Sequence, residues 1–119
     1  MNIPESLTFD SSEEKPSDEL YLVLKHVFYD RIKNGTKKTE YRDFTVYNRD
    51  KILDHPFKTV KFNRGYTNEH MVFEIDWIGV LDGDREIHAF DKSGNMNPEG
   101  ADDDFQPDTI SIHLGKRIK

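Results

Sequence analysis

The sequence predicts an α+β domain: a small mixed β-barrel of five to six strands, with one or two short helices inserted early. Two segments, residues 59–64 and 70–81, alternate apolar and polar side chains with the period of two that marks half-buried strands. A third alternating stretch closes the chain, where Ile110, Ile112 and Leu114 are interleaved with Ser111 and His113. Near the start, an apolar run, a short helical pattern and a further strand pattern follow one another. Strand–helix–strand followed by hairpins suits a sheet that curls on itself to hide its edges.

The elements follow in chain order. Residues 1–18 combine low hydrophobicity with excess acid, and read as a flexible acidic tail ahead of a folded domain spanning 19–119. Leu20-Tyr21-Leu22-Val23-Leu24-Lys25 predicts a central strand buried on both faces. Residues 27–34 predict a short helix with Phe28 and Ile32 on its inner face, stopped at Asn34-Gly35. Residues 38–44 predict a strand, with Lys38, Glu40 and Arg42 on one face and Thr39, Tyr41 and Asp43 on the other. Residues 45–53 predict a second helix capped by Thr45, with Val46, Ile52 and Leu53 partly buried; His55-Pro56 ends it.

Val60 and Phe62 should then point inward from one strand, and Phe73, Ile75 and Trp77 from the next, with Trp77 in the core. Residues 64–69 join the two as a hairpin. Asp82-Gly83-Asp84 signals a tight turn into a strand over residues 85–90. The glycines, prolines and aspartates of 91–107 predict a long exposed loop, and residues 108–114 the last strand.

Composition narrows the functional classes. The chain of 119 residues has no cysteine, which excludes disulfides and thiolate zinc sites and fits a reducing, cytoplasmic setting. No apolar run approaches the roughly 18 residues of a membrane span, and residues 1–16 lack the order of a signal peptide, so no membrane association is expected. The net charge of −6 is segregated: residues 20–64 hold eleven Lys/Arg against five acids, and residues 65–107 hold eleven acids against Arg85 and Lys92. The acidic total opposes long-range attraction to nucleic acid, whereas the basic segment can build a local anion site. The five histidines show no metal-binding spacing, and Asp102-Asp103-Asp104 lacks the glycine of a calcium loop. No metal and no cofactor are expected.

The chemistry-bearing segment is Gly35-Thr36-Lys37-Lys38-Thr39-Glu40-Tyr41-Arg42, which fits G-x-K-x-x-E-x-R without a mismatch. Before it come an apolar strand and a short helix; after it come Lys61-Phe62-Asn63-Arg64-Gly65-Tyr66 and the ending Ile112-His113-Leu114-Gly115-Lys116-Arg117-Ile118. In these features the chain, over roughly residues 20–118, resembles the ASCH domain (activating signal cointegrator-1 homology) of the PUA-like β-barrels, in its small stand-alone and phage-associated form. The resemblance implies a cleft beside the segment that takes RNA, a nucleotide or a nucleoside-like ligand. It also implies a possible amidohydrolase, since some small bacterial members remove the acetyl group of N4-acetylcytidine with a lysine, a threonine three residues later and a distal glutamate. Lys37 matches that lysine, but Glu40 stands at the threonine position and the glutamate has no assured counterpart.

Lys37 can hold a phosphate as a point charge or, if desolvated, act as a base. Glu40 and Arg42 share a face, either as a ligand-binding pair or as an ion pair bracing the barrel. Arg64 and Tyr66 flank a glycine in the hairpin loop, where they offer anion and stacking contacts to a base. Glu74 and Asp76 lie opposite Phe73, Ile75 and Trp77; if catalysis occurs, the acting set is Lys37, Glu40 and Glu74. A protein-interaction module using the acidic tail and the 91–107 loop is the third possibility.

Overall fold

The computed structural model describes residues 18–96 and 104–119. Among these the elements run β1 (Glu19–Leu24), α1 (His26–Lys33), β2 (Thr39–Asp43), α2 (Val46–Ile52), β3 (Thr59–Arg64), β4 (His70–Asp82), β5 (Arg85–His88) and β6 (Thr109–Arg117). The six strands form one sheet in the order β1-β3-β4-β6-β2, with β5 paired to β4 beside that path. Only β1–β3 is parallel; every other pairing is antiparallel. The sheet curls so far that its two ends meet: Arg42 on β2 donates from Nη2 to the carbonyl of Val23 on β1 at 3.1 Å. This six-stranded curled half-barrel with two short helices is consistent with the small mixed α+β barrel that the alternation predicts.

The core fills the concave side. Leu20, Leu22 and Leu24 of β1 pack with Val60 and Phe62, Met71 and Phe73, Ile78 and Val80, and Ile110 and Ile112. Tyr29 and Ile32 from α1, with Ile52 and Leu53 at the end of α2, close it from outside the sheet. Thr45 caps α2 as its sequence predicts, accepting from Asn48 N at 3.0 Å. Asn34-Gly35 ends α1, with Gly35 at φ 87° in the left-handed region.

Four expectations are corrected. First, β1 is an edge strand rather than a central one: among the described residues β3 is its only strand neighbour, and Tyr21 is exposed. The mixed composition of the run hid a simple alternation, Leu20, Leu22 and Leu24 inward. Second, the inner face of α1 is Tyr29 with Ile32, a three-residue spacing, and Phe28 is left half-exposed. Third, Val46 sits in the first turn of α2, exposed to solvent.

Fourth, Trp77 is not in the core. Between Phe73 and Trp77 the β4–β6 register shifts twice, between Phe73 and Ile75 and again between Ile75 and Trp77. Such irregularities break the period of two, so the inward set changes from Met71 and Phe73 to Ile78 and Val80. Trp77 is thereby turned to the convex face.

Of the predicted strand over 85–90, residues 85–88 pair with β4, and Phe90 forms a lone bridge to Met96. β6 runs three residues beyond its predicted end. The acidic tail lies outside the described residues except for Asp18, whose carbonyl accepts from Lys58 N and Thr59 N at the start of β3. Residues 97–103 of the predicted loop also lie outside them. Among the described residues, no helix is long and apolar enough to cross a membrane.

Candidate functional site

The end of α1 delivers Lys37 to its position. Asn34 Oδ1 accepts from the amide and hydroxyl of Thr36, and the amides of Thr36 and Lys37 both donate to Arg31 O. This tight exit leads straight into β2. Period two then places Glu40 and Arg42 on the concave face, with Glu40 buried to 5% exposure.

A carboxylate so enclosed needs cations, and it has two. Lys37 Nζ donates to Glu40 Oε1 at 3.0 Å, and Arg42 Nε to Oε2 at 2.8 Å. Lys37 Nζ also donates to Thr39 O at 2.6 Å, while Arg42 spans the gap to Val23. The three charges sum to +1 at one end of the seam between β1 and β2. Beside them lies an open crevice of about 460 Å³, bordered by Val23, Lys25, Phe28, Tyr41, Arg42 and Asn48. Phe28 and Tyr41 expose their rings there, and Lys37 Nζ lies 6.0 and 5.7 Å from the two ring centres.

The structure thus brings Lys37, Glu40 and Arg42 together, with Glu40 and Arg42 bordering the crevice and Lys37 joined to them through the Glu40 carboxylate. It places the other candidates elsewhere. Arg64 grips Asp30 of α1 with two hydrogen bonds, from Nε at 3.0 Å and Nη2 at 3.1 Å, and does not border the crevice. Those bonds hold the Asp30 carboxyl below its usual range. Lys33 meets Glu69 at 2.9 Å beside them, so two ion pairs pin the β3–β4 hairpin to α1. Tyr66, 98% exposed at the hairpin tip, stands clear of the crevice. Glu74 borders a different depression, with Lys58, Thr59 and Ile118, and Asp76 a third one beside Trp77.

A second cluster on the convex face was not legible from the motif. Glu86 Oε2 accepts from Ser111 Oγ and lies 2.7 Å from His113 Nε2; His113 Nδ1 lies 3.3 Å from Thr39 Oγ1. Trp77 stacks between His113 at 3.9 Å and His88 at 4.2 Å. Burial works against the charge of Glu86, but the hydrogen bonds from Ser111 and His113 prevail and keep its pKa below the usual value. Gly79 makes room for the network: a Cβ there would sit 2.6 Å from both Glu86 Oε2 and Ser111 Oγ. The alternation of β6 does put Ser111 and His113 on one face, but only the shifted phase of β4 brings Trp77 beside them. The links in this cluster brace β2, β5 and β6 against β4.

Compared with family models, curated proteins and solved structures, the chain finds a match in none of the three. Its function is therefore read from its own geometry.

Proposed function

We propose that this chain is an ASCH-type, PUA-like domain of the cytoplasm that binds RNA, a nucleotide or a nucleoside-like ligand in the crevice beside residues 35–42. One observation carries the reading: a buried glutamate, neutralised by Lys37 and Arg42, forms the wall of an open crevice bordered by two exposed aromatic rings. Lys37 and Arg42 supply net positive charge for a phosphate, and Phe28 and Tyr41 supply faces on which a base can stack.

Binding is favoured over amide hydrolysis by the same contacts. Lys37 Nζ donates to Glu40 and to Thr39 O, so its hydrogen bonds are committed to the wall rather than to a substrate. Glu74, the remaining member of the hydrolytic set, does not border the crevice.

Titration of the labelled protein with short RNAs and nucleoside monophosphates, followed by amide resonances, tests the proposal. Shifts are expected at residues 23–28 and 37–48, and Tyr41→Ala should weaken binding about tenfold by removing a stacking face. No response in those segments at millimolar ligand defeats the reading. Turnover of N4-acetylcytidine that disappears in Lys37→Ala would favour the amidohydrolase instead.

A further inference from the structure

The two strand edges bordering the crevice differ from ordinary free edges in what they still offer. On β2, Leu114 N donates to Lys38 O at 3.0 Å and Phe44 N to Asp108 O at 2.9 Å, so even-numbered residues turn their backbone groups toward β6. The amides and carbonyls of Thr39, Tyr41 and Asp43 consequently face the seam. Two of those three carbonyls are already occupied. Thr39 O accepts from Lys37 Nζ at 2.6 Å; Asp43 O accepts from Thr45 N and from Asn48 Nδ2, both at 2.9 Å.

Across the seam, Leu24 O accepts from Gly65 N of the β3 hairpin at 2.7 Å, which turns Val23 toward the crevice. The carbonyl of Val23 is taken by Arg42. Tyr41 is thus the one residue on the free edge of β2 that keeps both N–H and C=O without a hydrogen bond among the described residues.

We infer that the main chain of Tyr41 reads the ligand's base, its N–H donating to a ring or exocyclic acceptor and its C=O accepting from the neighbouring N–H of the same heterocycle. The inference rests on the nucleotide reading proposed above and adds what selects the ligand: a planar heterocycle with a donor beside an acceptor. An extended peptide is the rival occupant of a free edge, but strand addition needs a run of alternate residues with open backbone groups. On β2 the caps from Lys37 and Asn48 leave one complete pair, and on β1 Arg42 takes Val23 O and leaves Tyr21. Neither edge keeps a ladder long enough for a strand, and the one pair on β2 is sufficient for one base edge. The exposed rings of Tyr41 and Phe28 beside that pair supply stacking faces that a peptide does not require.

The test titrates the labelled full chain with UMP, CMP, AMP and GMP, and with the analogue of each in which methylation replaces every hydrogen on the donor nitrogen (dimethylation where that nitrogen is an exocyclic amine). The base that binds should move the Tyr41 amide and slow its solvent exchange about tenfold, and its methylated analogue should bind about tenfold more weakly, since a donor–acceptor site left half-paired loses affinity. Equal binding of parent and methylated nucleotide overturns the inference. So does a response at Lys37 and Arg42 with Tyr41 unmoved, which describes a phosphate site alone. Protection of the Thr39, Tyr41 and Tyr21 amides together by an extended peptide, with none by nucleotides, points to strand addition and also overturns it. Silence of residues 23–28 and 37–48 to every nucleotide is a different failure: it removes the nucleotide reading itself.

Discussion

Glu40 illustrates how one side chain can serve both the fold and a site. With only 7% of its side chain exposed, it depends on Lys37 and Arg42, themselves 21% and 25% exposed. Because the cations retain partial solvation, the loss on neutralising Glu40 should fall below that of a fully buried pair. Glu40→Gln is expected to cost about 1–2 kcal/mol, seen as a lower urea midpoint with unchanged slope. A variant as stable as the parent would mean that the two cations do not rely on the carboxylate. Tyr29 presents the opposite case. Its ring is fully buried, its hydroxyl has no hydrogen-bond partner among the described residues, and burial raises its pKa. Removing that oxygen relieves a desolvated donor while keeping the packing, so Tyr29→Phe is expected to stabilise by about 1 kcal/mol in the same assay. Clear destabilisation would show that the hydroxyl has a partner after all.

At the scale of elements, the sequence was legible where a single rule governs a segment. The period of two predicts β3 to the residue, and the Thr45 cap with His55-Pro56 brackets α2 because local chemistry decides both ends. It failed where tertiary geometry intervenes. The register shifts in β4 cannot be read from composition, and they alone reverse the positions of Trp77 and Ile78. For the same reason the Glu86 cluster was invisible: its members come from β2, β4, β5 and β6, and no spacing links Glu86 to His113. That cluster carries an acid-sensitive prediction. The folded pKa of Glu86 is depressed from the ordinary 4.5, so its contribution is full above that value and is lost as pH falls through the lower folded value. Glu86→Gln should therefore differ most from the parent at neutral pH, and the two stabilities should converge on acidification. Trp77 is the only tryptophan of the chain, and its fluorescence reports unfolding beside the group concerned. Asp30 and Asp108 are shifted in the same direction, so part of the acid sensitivity should persist in the variant. A stability gap that stays constant with pH would detach Glu86 from the effect.

On the scale of the whole molecule, the charge segregation seen in the sequence acquires a spatial meaning. The basic residues 20–64 supply β1, β2, both helices and β3, hence both borders of the seam, while acids concentrate in the stretch that forms β4 and β5. The free edges of β1 and β2 are exposed to pairing with other chains, because each presents unpaired backbone groups. Here side chains blunt the edges: Arg42 occupies Val23 O, Lys37 occupies Thr39 O and Asn48 occupies Asp43 O. The charged part of the motif was legible as a charge cluster, but its service to backbone carbonyls was not, since that depends on which residues of β2 face the seam. Removing two caps with Arg42→Ala and Asn48→Ala frees Val23 O and leaves Asp43 O with the Thr45 amide alone. The double variant should self-associate more steeply with concentration than the parent in sedimentation, with the added contact protecting amides of β1 and β2 from exchange. If it stays folded and its mass follows the parent's at every concentration, the caps do not restrain the edges. The contacts of Arg42 and Asn48 would then serve only to shape the crevice.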